Sequence, residues 1–297
     1  MKISILGFGT IGSGVYEIAR ANSIEIDKVL DLRDLDVPEL THSFDDVLAG
    51  DATTVVECMG GEHPAYDFVK AALESGKNVV TSNKAVVAAF GEELVRTAAD
   101  HGVQFLFEAS VGGGIPIIHV ITECLRCDEI TRISGILNGT TNYILAQMDE
   151  RGISFEEALA EAQKLGYAEA DPSADIEGWD TCRKTAILGW LISGKLLDYK
   201  TIPTEGITKI TKEDIDAAKK EGKFIKLLGI VEKNPDGSLK ASVAPTIIDK
   251  TNELYSVAGV MNAVLVESKY MGKSLYYGPG AGKLPTATAV IADVMRT

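Results

Sequence analysis

The sequence predicts an α/β chain in two parts, a doubly wound parallel sheet followed by a second domain of α+β character. Three observations carry this reading. Over about the first 120 residues, short apolar strand patterns alternate with amphipathic helix patterns, which is the rhythm of βαβ units. The first strand pattern runs straight into a glycine cluster that opens a helix. After Gly112 the alternation stops, and longer helices and a hairpin pattern take over. An aromatic content of only 6% fits cores of Val, Ile, Leu and Ala, the residues of sheets covered on both faces.

The elements follow in order. Lys2–Leu6 reads as a strand, Gly12–Ala21 as a helix and Lys28–Leu32 as a second strand. Thr54–Cys58 is a third strand, stopped by Gly60-Gly61. Pro64–Ser75 is a helix with proline in its first turn and Gly76 just past its end. A strand at Asn78–Thr81, a helix at Gly91–His101 and a strand at Gln104–Phe107 complete the alternation, and Ile117–Arg126 reads as an amphipathic helix. In the second part Glu129–Leu137 is of mixed character and helices cover Thr141–Arg151 and Ser154–Leu165, the latter with Ser154 and Glu157 at capping-box spacing. The loop Gly166–Ala174 leads into one long helix, Asp175–Ile192, and then a helix at Lys212–Glu221. Phe224–Glu232 and Ser238–Ile248 form a hairpin about Asn234-Pro235-Asp236-Gly237, and Ala263–Ser268 is a further strand. A last helix, from about Pro285, is expected to return to the first sheet. The expected division is residues 1–115 with the closing segment 278–297, and residues 116–277.

The bulk numbers exclude several classes. With 29 Lys and Arg against 43 Asp and Glu, the net charge is −14. Such a surface repels nucleic-acid phosphates and anionic lipid headgroups, so neither partner is expected, although a pocket can still be locally positive. No apolar run approaches the roughly 20 residues that span a bilayer, and the N-terminus enters a strand without a secretory pattern. A cytoplasmic enzyme is expected. The four cysteines, Cys58, Cys124, Cys127 and Cys182, are too few for a disulfide framework, and Cys124-x-x-Cys127 lacks a second pair at zinc spacing.

Five segments carry chemistry. Gly7-Phe8-Gly9-Thr10-Ile11-Gly12 matches G-x-G-x-x-G in the strand-to-helix context of a Rossmann-type sheet, where the diphosphate of a dinucleotide rests on helix N-terminal N–H groups. About 20 residues further on, an acid favours the ribose 2′-hydroxyl of NAD and an arginine the 2′-phosphate of NADP. Asp31 and Arg33 offer both, and the balance leans toward NADP through Arg33. Ser82-Asn83-Lys84 stands at the carboxyl edge of a strand, where Lys84 can meet a substrate carboxylate or the cofactor. Glu108 with the glycine-rich run to Pro116 reads either as an oxygen-ligand cation site or as a hinge. The densest polar run is Gly166–Lys184, in which Asp180 and Lys184 share a helix face and Glu169 lies in the preceding loop. This is either a proton-transfer group or an exposed ion pair worth only about 0.3–0.5 kcal/mol.

At this run the chain resembles a known family. Gly166-Tyr167-Ala168-Glu169, Asp171-Pro172, Asp175, Gly178, Asp180 and Lys184 are similar to the signature of the homoserine dehydrogenases. Gly7–Gly14, Ser82–Lys84, Glu108–Pro116, Asn138–Asn142 and Gly278–Thr288 resemble family segments in the same order, over essentially the whole chain. The resemblance implies hydride transfer between NAD(P)H and L-aspartate 4-semialdehyde, giving L-homoserine on the route to threonine and methionine. Lys184 would be the general acid/base, with Lys84 between nicotinamide and substrate. Glu169, Asp180 and Asp175 would hold the substrate, and Ser82, Gly166 and Gly282 would lie beside the cofactor. Glu108 and the carbonyls of Val111, Gly113 and Ile115 would bind a sodium ion, and the second domain's sheet would form a homodimer. Relatives with a C-terminal regulatory domain or a fused kinase are longer, so threonine feedback through such a domain is not expected. A thioester-forming semialdehyde dehydrogenase would need an activated cysteine, and no histidine is placed to provide the base. A dinucleotide sensor without chemistry would not need Glu169, Asp180 and Lys184 together.

Overall fold

The computed structural model describes residues Met1–Thr297. The chain forms two compact units, Met1–Ile118 with Ala281–Thr297, and His119–Gly280.

In the first unit, β1 (Lys2–Leu6), β2 (Glu25–Leu30), β3 (Leu40–Thr41), β4 (Thr54–Glu57), β5 (Asn78–Thr81) and β6 (Phe105–Leu106) form one sheet in the order β3-β2-β1-β4-β5-β6. Every pairing is parallel. Its strands are rich in β-branched residues, and Ile3, Ile5, Val55, Val56, Val79 and Val80 are wholly buried, as a sheet covered on both faces requires. The strand order reverses beside β1, and that reversal opens the crevice in which such sheets bind ligands. Helices α1 (Thr10–Ala21), α2 (Phe44–Ala49), α3 (Ala65–Glu74) and α4 (Lys84–Asp100) connect the strands. The closing helix, Lys283–Val294, adds Ala287, Val290, Ile291 and Val294 to the core built by Ile3, Ile5, Val15 and Ala19.

Four differences from the sequence expectation fall in this unit or at its boundary. Helix α4 starts at Lys84 rather than Gly91, because the Asn83 side chain caps it by accepting the N–H groups of Ala85 and Val86 at 3.1 and 3.3 Å. Strand β2 ends at Leu30, so Asp31 and Arg33 lie in the loop beyond it, and the short β3 and α2 were not expected at all. The expected helix over Ile117–Arg126 is an α-turn at Ile117–His119 that runs on as a π-turn at Val120–Cys124.

The second unit is built on five antiparallel strands, β7 (Ile130–Ile136), β8 (Phe224–Lys233), β9 (Leu239–Ile248), β10 (Met261–Ser268) and β11 (Gly272–Pro279), in the order β11-β10-β7-β8-β9. Its helices are α5 (Gly139–Arg151), α6 (Phe155–Lys164), α7 (Ser173–Ile176), α8 (Trp179–Ser193) and α9 (Lys212–Lys220). Helix α5 packs on β8 and β10, and α8 on β8 and β9. Ile136, Leu228, Leu254, Val257 and Leu265 form a core cluster of this unit. The β8–β9 hairpin turns as expected, but β11 was unforeseen. Its Leu275 and Tyr277 are largely exposed, so the strand carries no clean apolar face to read. The single long helix expected from Asp175 is in fact α7 and α8, broken at Gly178, which has φ +87° and would place a Cβ 3.2 Å from Thr204 Cγ2. No helix is long and apolar enough to cross a membrane.

Candidate active site

The glycine motif forms the turn from β1 into α1. Gly7 has φ +86°, and a Cβ on Gly12 would lie 1.9 Å from the Gly7 carbonyl oxygen, so the helix can approach the strand this closely only with glycine there. Gly9 is the N-cap and has no side chain to satisfy the first N–H groups of α1, those of Thr10, Ile11 and Gly12, which remain for an anion. A Cβ on Gly9 would meet nothing within 4 Å, which leaves the backbone open to close approach. The Phe8 N–H donates to Asp31 Oδ2 at 2.8 Å. Arg33 grips the same carboxylate with Nε at 2.9 Å and a terminal nitrogen at 3.0 Å, and also donates to the Phe8 carbonyl at 3.0 Å. The hydrogen bonds from Arg33 hold the Asp31 carboxyl far below the usual carboxylate range. The Asp31 side chain is 10% exposed and that of Arg33 61%. Beside them a cavity of about 440 Å³ is lined by Leu30, Arg33, His42, Phe44, Met59 and Phe68.

At the carboxyl edge of the same sheet, Lys84 is the first residue of α4 and is half-buried, as is Ser82. The turn that presents them is organised from below by Glu57, a wholly buried carboxylate at the end of β4. Burial pushes Glu57 up to about 7, against hydrogen bonds from Thr81, the Met59 N–H and Asn83. Gly282, with φ +110°, is the N-cap of the closing helix. Burial, and then the charge of the neighbouring Glu57, raises the Cys58 thiol well above its ordinary value, which disfavours its thiolate.

Glu108 begins a 3-10 turn, Glu108–Ser110, and is 4% exposed. Its Oε1 accepts the Ile118 N–H at 2.9 Å, and its own N–H donates to Asp293 Oδ2 at 2.8 Å. In the loop beyond, Val111 and Ile115 are buried and Gly113 has φ +57°. The Ile115 carbonyl accepts the Ile117 N–H at 2.8 Å, whereas no N–H donates to the carbonyls of Val111 or Gly113. A buried carboxylate with two unpartnered carbonyls nearby in sequence suits a hard cation.

In the second unit, Lys184 on α8 is 7% exposed. Its Nζ donates to the Leu137 carbonyl at 2.7 Å and to Asp180 Oδ2 at 2.8 Å. The side chains are 9% and 6% exposed, so this is a buried pair and not the surface bridge that the spacing also allowed. Asn138 completes the group. Its Nδ2 donates to Asp180 Oδ2 at 2.9 Å and to Asp175 Oδ1 at 2.7 Å, and its Oδ1 accepts the Thr141 N–H at 2.8 Å, capping α5. Burial, and then the charge of Asp180, raises the Asp175 carboxyl above its usual range. The structure thus brings Asp175, Asp180 and Lys184 together. No hydrogen bond joins Glu169 to this group, and its side chain is exposed on the loop after α6, as is Gly166, which has φ +77°. The loop is held by the Thr140 hydroxyl, which donates to the Tyr167 carbonyl at 2.7 Å, and by Gln163 Nε2 on the Glu169 carbonyl at 3.1 Å.

Glu57 is an organising residue that the sequence does not mark, and Asn138, which enters there only within a family segment, is a second. An asparagine just before a helix is a capping signal, and it could have flagged Asn138 as it could Asn83. Nothing in the local sequence of β4 marks Glu57.

Comparison with known proteins covers nearly the whole chain. The family profile "Homoserine dehydrogenase, NAD binding domain" matches residues 7–108, and the profile "Homoserine dehydrogenase" matches residues 116–295. The chain is 43% identical over 315 residues to the homoserine dehydrogenase of Synechocystis sp., covering 99% of this chain and 72% of that one. It is similar to the crystal structure of a homoserine dehydrogenase from Thiobacillus denitrificans, with a TM-score of 0.94 and 40% identity over 99% of this chain and 72% of the other. A hyperthermophilic archaeal homoserine dehydrogenase, solved in complex with NADPH, matches with a TM-score of 0.85 and 29% identity over 99% of this chain and 96% of that one.

Proposed function

Because the chain belongs to the homoserine dehydrogenase family, NAD(P)-dependent oxidoreductases acting on a hydroxyl group, we propose that Lys184 is the acid and base of that reaction. The observation that carries this is the buried Lys184–Asp180–Asn138–Asp175 group. Its ammonium spends two of three N–H donors, on Leu137 and Asp180. The third is left for a substrate oxygen. In the reductive direction Lys184 gives a proton to the aldehyde oxygen of L-aspartate 4-semialdehyde, the hydride being what a bound nicotinamide would supply to the adjacent carbon. In the oxidative direction the neutral amine takes the hydroxyl proton of L-homoserine as the hydride leaves. Asp180 keeps the lysine oriented, and Asp180, Asp175 and Glu169 bind the substrate's polar groups. Lys84 and Ser82 present the sheet edge to the nicotinamide, with Gly166 and Gly282 as backbone positions beside the cofactor.

We further assign the cofactor preference to NADP. Asp31 already accepts from Phe8 and Arg33, so it is poorly placed to accept a ribose hydroxyl, while the exposed Arg33 guanidinium suits a 2′-phosphate. Glu108 and the carbonyls of Val111, Gly113 and Ile115 are assigned to a sodium ion. Activity in sodium chloride should exceed that in choline chloride at equal ionic strength, and equal rates would remove this assignment. The same reading extends to a cytoplasmic homodimer in threonine and methionine biosynthesis, joined through the antiparallel sheet, whose edge strand β11 exposes Leu275 and Tyr277.

The deciding experiment is L-homoserine-dependent reduction of NADP and NAD, side by side, by the wild type and Lys184→Ala. Turnover should fall by about 10²–10⁴ with NADPH binding retained, the usual span for removing a general acid/base. Unchanged turnover would refute the role of Lys184.

A further inference from the structure

Glu57 closes β4 and is 0% exposed, yet no step above uses it. Its carboxylate receives the Met59 N–H at 2.7 Å, the Thr81 hydroxyl, and Asn83 Nδ2 at 3.4 Å. Thr81 closes the neighbouring strand β5, and its Oγ1 accepts the Asn83 N–H at 2.9 Å. Asn83 also donates to the Gly61 carbonyl at 2.8 Å and caps α4, whose first residue is Lys84. One carboxylate therefore ties together the loops that leave two adjacent strands at the ligand-binding edge of the sheet.

We propose that Glu57 is a positioning residue for cofactor binding, its ionised carboxylate holding the Ser82–Asn83–Lys84 turn in the form that receives the nicotinamide nucleotide. This rests on the assignment of Ser82 and Lys84 to that edge and names the group that sets them. The argument is a count of donors. With Glu57 ionised, the Thr81 hydroxyl gives its hydrogen to Glu57 and accepts the Asn83 N–H, so every polar atom is matched. With Glu57 protonated, the acid must donate to Thr81 Oγ1, and the Thr81 hydrogen is orphaned where Thr81 is 0% exposed. The turn keeps its contacts, because Thr81 Oγ1 can accept from both the acid and the Asn83 N–H, but it then carries one unsatisfied buried donor. The groups that act on Glu57 are Thr81, Met59 and Asn83, with burial opposing them near neutrality. The titratable neighbour that feels its charge is the Cys58 thiol, and Lys84 is the cation at the far end of the turn.

A glutamine at 57 fills the same volume and keeps an acceptor for Met59 and Asn83, but its amide must donate to Thr81 as the protonated acid does. Glu57→Gln thus fixes the low-pH arrangement at every pH. The test is NADPH affinity, followed by nucleotide fluorescence from pH 6 to 9, in the wild type, Glu57→Gln, Thr81→Val and Lys84→Ala. Wild-type affinity should tighten by about tenfold as pH rises through 7, the scale of one buried hydrogen bond. Glu57→Gln and Thr81→Val should stay near the weak low-pH value. A folded Glu57→Gln with the wild-type pH profile overturns the proposal, while weakened binding by Lys84→Ala in the same series keeps the assignment of the turn. Wild-type affinity and turnover in Lys84→Ala would overturn both. If Glu57→Gln does not fold, Thr81→Val decides alone by the same criterion.

Discussion

Replacing Asn138 by alanine tests the proposed catalytic group at the residue that assembles it. The side chain performs three tasks: it caps α5 at the Thr141 N–H, and it donates to Asp180 and to Asp175. A lost cap costs about 1 kcal/mol. A lost hydrogen bond to a charged group costs about 1.5–3 kcal/mol, in full for the buried Asp180 and in part for Asp175, which water can reach. The sum is about 3–5 kcal/mol. The loss should also depend on pH. Asp175 sits above its ordinary range, so the native state holds its proton more tightly than the unfolded chain, and its contribution to stability declines as pH rises past that range. Removing the Asn138 donor raises Asp175 further, which adds a penalty only where the carboxyl would be ionised. Urea unfolding at pH 4, close to the ordinary carboxylate value, and at pH 8, followed by Trp179 and Trp190 on α8, should therefore show the larger deficit at pH 8. A deficit under about 1 kcal/mol, or the same deficit at both pH values, would refute the account of Asn138 as the hub of two carboxylates.

Two further outcomes are expected. Arg33→Ser should weaken NADPH binding roughly ten- to a hundredfold, the range for a charge-assisted contact, and leave NADH nearly unchanged; equal losses for both would remove the 2′-phosphate assignment. Glu57 rises from 4.5 to about 7 on folding, so the wild type loses stability as pH climbs through that window. Glu57→Gln lacks this titration and should gain up to about 3 kcal/mol relative to the wild type between pH 4.5 and pH 8 in urea melts, and a constant difference would contradict the burial of an ionisable group.

The first sheet was legible because its signals are local. Gly7–Gly12 shapes one turn, and the strands of Val and Ile need only neighbours of the same kind. Helix α4 begins seven residues before Gly91 because Asn83 caps it, a signal that lies in the residue before Lys84–Phe90 and not in their periodicity. Gly178 was absorbed into a helix since a lone glycine does not announce a positive φ; the close side chains of Thr204 and Val243, which a Cβ would meet at 3.2 and 3.3 Å, come from distant sequence. Strand β11 escaped because its order depends on pairing with β10 along its length. The same limit applies to the site. The Asp180–Lys184 spacing was visible, but whether it meant a surface bridge or a buried pair was decided by Leu137 and Asn138, some 40 positions away. Glu57 is set by Thr81 and Asn83 across two strands, which no window along β4 contains.

The closing helix gives the chain an unusual order of assembly during synthesis. Residues 283–294 supply part of the core around Ile3, Ile5, Val15 and Ala19, so the N-terminal sheet cannot finish packing when its own strands emerge. The whole of His119–Gly280 must be made first, which at roughly 5–20 residues per second takes on the order of 10–30 seconds. The unit translated first is therefore the one completed last. For that interval the apolar groove meant for Ala287, Val290, Ile291 and Val294 stays open on the nascent chain, a surface for chaperones to cover.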